Sequence, residues 1–152
     1  MNTTATIWCN GPSNKLLKLS DELATDYVIS CHGNIHPQTT DVVSTDWTPR
    51  IVKDGKYVRS VQEIAIDEYK PLTTTWDGII HYGACDASEV RRINPNYLDK
   101  VEIHHIPYKV FTGSWAIEYA VSVLKCNVVY LVGFDMNYDN LEWYNYAAVN
   151  RY

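Results

Sequence analysis

The sequence predicts an α/β fold, a Rossmann-like three-layer sandwich with a mostly parallel central sheet, built as one domain over residues 1–152. Three observations predict it. Short apolar runs alternate along the chain with turn-rich or helix-patterned segments. Residues 127–133 (NVVYLVG) form an unbroken apolar run of the kind expected of a central parallel strand covered on both faces. Before that run, Ile117, Ala120, Val121 and Leu124 recur at helical spacing behind Thr112-Gly113-Ser114, predicting a helix from Thr112 to about Lys125.

The elements follow in order. Residues 6–9 (TIWC) read as a first strand ending at the turn Asn10-Gly11-Pro12-Ser13. Residues 14–24 place Leu16, Leu17, Leu19 and Leu23 on one face of a predicted helix. Residues 27–31 form a second strand before His32-Gly33-Asn34, and residues 41–45 a third before Asp46-Trp47. Asp54-Gly55 between residues 51–53 and 56–58 is a hairpin signal. A short helix is expected within residues 60–69, a fourth strand at residues 78–82, and a helix capped by Ser88 and running through Arg92. Residues 101–106 (VEIHHI) read as a fifth strand. No repeat, linker or low-complexity segment interrupts this pattern.

Composition narrows the function classes. Apolar residues make up 46% of the chain and charged ones 20%, a globular balance that excludes disorder. A net charge of −5 argues against a nucleic-acid polymer as partner, which requires clustered Lys and Arg. It leaves room for a single nucleotide held by backbone N–H groups. Cys9, Cys31, Cys85 and Cys126 show no CxxC spacing and read as reduced thiols of a cytoplasmic protein. No run approaches the ~20 apolar residues of a membrane span, and no signal peptide is expected at the N-terminus. The 12 tyrosines and 5 tryptophans, dense toward the C-terminus, fit a homo-oligomer interface or a ligand wall as well as a bias of composition.

In parallel α/β sheets, ligands bind beyond the carboxyl ends of the strands. The candidate nucleotide-binding residues are therefore Asn10, Gly11, Pro12, Ser13, His32, Asn34, Thr45, Asp46, Thr112, Gly113, Ser114, Gly133, Phe134 and Asp135. Gly11 would let a phosphate or ribose approach the backbone. Thr112, Gly113 and Ser114 would present N–H groups at a helix start. The plain structural alternatives are a turn for residues 10–13, a helix start for residues 112–114, and a loop-stabilising role for Asp135.

The Asn10-Gly11-Pro12-Ser13 loop, followed far along the chain by TGSWAIEYAVSVLKCNVVYLVGFD (residues 112–135), resembles the bacterial sialyltransferases of the Campylobacter type and the related flagellin-modifying glycosyltransferases. A pterin pyrophosphokinase family shares the same nucleotide fold. The resemblance covers about two thirds of the chain. It implies a cytidine nucleotide between the two segments and metal-independent transfer of a sugar from a CMP-activated donor. It further implies that Tyr138 and Tyr144 steady the phosphate. The base histidine of those enzymes lies farther along than Tyr152, so the chain reads as shortened at its C-terminus. His104 and His105 are then the substitutes by chain order, His105 being the candidate catalytic base, with alternation sending the two rings to opposite faces. No histidine or cysteine spacing is read as a metal site, so no metal ligand is expected, and no separate cofactor beyond the nucleotide. The alternative is a non-catalytic protein that sequesters or senses a nucleotide or nucleotide-derived signal.

Overall fold

A computed structural model of the protein describes residues 1–9, 11–18, 21–31, 35–45, 50–53, 56–60, 78–91, 93 and 95–135. Its strands are β1 (Thr4–Trp8), β2 (Tyr27–Cys31), β3 (Asp41–Ser44), β4 (Arg50–Lys53), β5 (Lys56–Ser60), β6 (Ile80–Ala84), β7 (Val101–His105) and β8 (Val128–Val132). Six of them form one sheet in the order β7-β6-β3-β2-β1-β8, with every neighbouring pair parallel. β4 and β5 pair antiparallel, as the Asp54-Gly55 signal predicts. Among the described residues no helix is long and apolar enough to cross a membrane.

Strand alternation sorts the core into two layers. Ala5, Ile7, Cys9, Ile29, Cys31 and Val43 face α2 (Thr112–Glu118), whose Trp115 and Ala116 are buried against them with Tyr119 and Ala120 just beyond it. Val42, Ile80, Tyr82 and Ala84 face the opposite side and pack with Ile93 and Val90, the last residue of α1 (Ala87–Val90). Helical segments thus cover both faces of a parallel sheet, the α/β Rossmann-like architecture the alternating pattern predicts.

Several elements differ from expectation. The predicted helix over residues 14–24 is replaced by a 3-10 turn at Pro12–Leu16, with Leu16 85% exposed. Side chains take up backbone groups in and beside this segment. The buried Asn14 donates from Nδ2 to Cys9 O at 2.8 Å. Asp21 Oδ2 accepts the Lys18 N–H at 2.8 Å. Gln38 holds both the N–H and the C=O of Leu23, at 2.7 and 3.2 Å. Asp86, not Ser88, caps α1, accepting the N–H groups of Ser88 and Glu89 at 2.8 and 3.0 Å. The long helix expected to reach Lys125 is α-helical only to Glu118 and continues as a π turn, Tyr119–Val123. That turn carries Val121 out to 48% exposure while Ala120 stays buried. Lys125 ends it with φ 59, and Cys126 N–H closes it on Ala120 O at 2.9 Å.

The predicted central strand is a further correction. β8 lies at the sheet edge among the described residues, paired with β1, and Tyr130 and Leu131 are 56% and 49% exposed. Its β-branched and aromatic residues reflect strand propensity, which an edge position satisfies as well as a central one.

From β1 the chain steps outward through β2, β3, β6 and β7, then crosses back through α2 to place β8 on the other side of β1. Strand order therefore reverses between β1 and β8.

Candidate functional site

At this reversal the loops leaving the carboxyl ends of β1 and β8 are locked together. Cys9 N–H donates to Val132 O at 2.8 Å, and Gly11 N–H to Gly133 O at 2.9 Å. Ser13 N–H donates to the Asp135 carboxylate, Oδ2, at 3.0 Å. Gly11 has ordinary extended angles, φ −66 and ψ 148, so its glycine is required by space. A Cβ there would overlap Asp135 Oδ2 and the Gly133 carbonyl oxygen. Gly133 is required by both conformation and space: its φ is +76, and a Cβ would stand 2.5 Å from Cys9 O. Each glycine admits the other loop's backbone or carboxylate.

The start of α2 joins this corner. A Cβ on Gly113 would stand 2.9 Å from the Phe134 ring and 3.5 Å from Cys9 Sγ. Thr112 is buried and turns toward β3, its hydroxyl oxygen 2.9 Å from that of Thr45 and accepting the Thr45 N–H at 3.2 Å. Ser114 is exposed and Ser13 half-buried. Beneath the corner Cys9 Sγ lies 3.3 Å from Cys31 Sγ, with no disulfide between them. The structure therefore brings together Gly11, Ser13, Gly113, Gly133, Phe134 and Asp135, with Thr45 and Thr112 paired beside them. Asp135 holds a loop, though across the chain to Ser13 rather than within its own segment.

Other candidates do not join them. His105 is exposed at the end of β7, four strands from β1, which at about 4.8 Å per strand is roughly 19 Å across the sheet. It is not within proton-transfer reach of a group held at Ser13. Asn10, His32, Asn34, Asp46, Tyr138 and Tyr144 lie outside the described residues, as does the side chain of Pro12.

A second constellation, missed in the sequence, sits on the α2 face of β6 and β7. His81 on β6 pairs in register with Glu102 on β7, and Gly83 with His104. His81 Nδ1 and His104 Nε2 are 3.0 Å apart. Glu102 places Oε2 3.7 Å from His81 Nδ1 and Oε1 3.6 Å from His104 Nε2. On the far side of His81, Asp41 Oδ1 is 3.9 Å from Nε2 and accepts the Tyr119 hydroxyl at 2.8 Å. Aromatic rings wall the pair: Tyr119 lies 4.6 Å from the His81 centroid, and Trp115 5.2 Å from that of His104. Burial lowers both imidazole pKa values below the usual range, helped at His81 by the neighbouring His104 and opposed in both by Glu102. Burial and Asp41 push the Tyr119 hydroxyl well above its ordinary value, so it stays protonated as the donor. The only linear signal was Glu102-x-His104, which puts two polar groups on one face of a strand. Finding His81 required the β6–β7 register.

No family model matches the chain, and no curated protein or solved structure does.

Proposed function

We propose that this protein binds a nucleotide, the CMP moiety of an activated sugar, at the carboxyl edge of its sheet beyond β1 and β8, and that it acts on that donor as a metal-independent, sialyltransferase-like glycosyltransferase. The observation that carries the reading is the convergence of three segments distant in sequence, Cys9 with residues 11–13, Gly113, and residues 133–135, at the strand-order reversal. That is the crevice where open parallel sheets take their ligands. These are also the segments in which the resemblance to sialyltransferases lies. A second reading, binding without transfer, is favoured by one observation: His105 lies across the sheet from this corner.

The test is a thermal-shift series with CMP, CMP-sialic acid, UDP and ADP-ribose, followed by an assay for CMP release. A ligand at 100 times its Kd stabilises the native state by about 2.7 kcal/mol, roughly 5–11 °C in a chain of this size. CMP and CMP-sialic acid should give such a shift and UDP should not. Ser114→Asp should remove it, because a carboxylate in the first turn of α2 repels a phosphate while suiting the helix. CMP release would support transfer; a shift without release would support the binding protein. No shift with any nucleotide overturns both.

A further inference from the structure

The histidine pair on β6 and β7 shares no residue with the proposed nucleotide site. We propose that His81, His104 and Glu102 form a binding site for one divalent transition-metal ion, zinc being the ion their donor set suits, with its remaining coordination position open to solvent.

The geometry carries the proposal. The three residues can each offer one ligand atom with all three atoms within 4.8 Å of one another. Four-coordinate zinc with bonds of ~2.0–2.1 Å requires neighbouring ligand atoms about 3.3 Å apart. The two imidazole nitrogens are 3.0 Å apart, and Glu102 holds Oε2 3.7 Å from His81 Nδ1 and Oε1 3.6 Å from His104 Nε2, so binding requires its exposed carboxylate to turn and present one oxygen, or both, to an ion held between the rings. The donors come from rigid neighbouring strands, Glu102 and His104 two residues apart on β7 and His81 paired with Glu102 across the ladder.

The chemistry selects the ion class. Two imidazole nitrogens and a carboxylate suit zinc and its first-row neighbours, whereas calcium and magnesium take all-oxygen sets. For binding, His81 presents the lone pair of Nδ1 and His104 that of Nε2. Each ring then carries its proton on the other nitrogen, so the hydrogen shared between the rings moves to the far side of one of them. At His81 that far side is Nε2, which faces Asp41, itself fixed by the Tyr119 hydroxyl. A carboxylate behind a ligating histidine is the usual outer-sphere arrangement that orients the ring and raises its basicity. The packing of both rings on Tyr119 and of His104 on Trp115 restrains their rotation. The Glu102 side chain is 59% exposed, whereas those of His81 and His104 are 16% and 17% exposed, so the ion can arrive from solvent on the Glu102 side.

The experiment is calorimetric titration of the chelator-treated full chain with zinc chloride, with the cobalt(II) spectrum as a readout of ligand type. We expect one ion per chain, a melting temperature raised by zinc and restored by chelator, and a cobalt spectrum without thiolate charge-transfer bands. Glu102→Gln, on an exposed side chain that does not endanger folding, and His104→Gln should each weaken zinc by about tenfold or more. The proposal is overturned by failure of the wild-type chain to bind zinc. It is also overturned by unchanged affinity in Glu102→Gln, or by a thiolate-type cobalt spectrum, which would assign the ion to cysteines. Should His104→Gln unfold, Glu102→Gln decides alone.

Discussion

Replacing Gly11 with alanine probes the lock between the β1 and β8 loops. The new methyl group would overlap the Gly133 carbonyl oxygen and the Asp135 carboxylate, whose Cγ would be 2.8 Å away. The side chain of Asp135 could swing aside, but the backbone oxygen belongs to a residue fixed at φ +76 against Cys9 O. Relief therefore means separating the loops and stretching two hydrogen bonds, Gly11 N–H to Gly133 O at 2.9 Å and Ser13 N–H to Asp135 at 3.0 Å. Overpacking costs about 1–3 kcal/mol, and loss of a bond to a charged acceptor about 1.5–3 kcal/mol. A loss of about 3–5 kcal/mol is expected, or roughly 6–20 °C in melting temperature at this chain length. Chemical and thermal denaturation of the wild type, Gly11→Ala, Asp135→Ala and the double variant would measure it. Asp135→Ala removes one of the two obstacles, so the double variant should be more stable than the sum of the singles allows, by at least about 1 kcal/mol. A Gly11→Ala protein within about 0.5 kcal/mol of wild type would refute this account of the corner, since changes of that size are typical of surface sites.

Two further outcomes follow from buried polar groups. Thr112→Val deprives the Thr45 N–H and hydroxyl of their partner in a site only 5–7% exposed, and should lower stability by about 1–3 kcal/mol, read as a shifted urea midpoint at unchanged m value. His36 is 1% exposed, packs edge-on against Trp8, and accepts the Gln38 N–H at Nδ1, so burial depresses its pKa below 6.5. The unfolded chain then binds the proton more readily than the native one. The contribution of His36 is fully present above about pH 6.5 and is lost as pH falls toward its native pKa, by at most ~1.4 kcal/mol per pH unit. His36→Asn keeps an acceptor for Gln38 but does not titrate, and should flatten the acid slope measured with chelator present. An unchanged slope would show that His36 is protonated as easily in the native state as in the unfolded one.

The sequence conveyed the architecture better than the position of individual elements. All six strands of the parallel sheet and the β4–β5 hairpin were legible because apolar runs and turn residues mark them directly. The helix over residues 14–24 was misread because leucine spacing reports what a helix would bury. It does not report that Asn14, Asp21 and Gln38 supply the backbone with other partners. The edge position of β8 was invisible because strand order depends on which crossover returns past β1. Most of the candidate corner was legible because strand ends in a parallel sheet are foreseeable. The imidazole cluster was not, since 23 residues separate His81 from His104 and only the register joins them.

The corner also alters how its two motif segments are weighed. Asn10-Gly11-Pro12-Ser13 and Gly133-Phe134-Asp135 stand at opposite ends of the described chain, so finding both looks like two independent signals. They are one feature: β1 and β8 are parallel neighbours, Gly11 makes room for Asp135, Gly133 makes room for Cys9, and the carboxylate of one loop accepts from the other. The glycines are thus accounted for by the protein's own packing, and they specify the strand reversal before they specify any ligand. On the proposed reading, discrimination among nucleotides would then fall to the polar groups that the lock leaves outward, Ser114 foremost. The same crossover serves the other constellation. The π turn begins at Tyr119, keeping Tyr119 and Ala120 both buried where a regular helix would distribute its apolar face differently, and Tyr119 reaches Asp41 behind His81. An extra residue in a helical turn is destabilising in isolation, and such turns are frequent at functional sites. Here it fixes the aromatic wall of the imidazole pair, while the α-helical turn before it supplies Gly113 to the corner between β1 and β8.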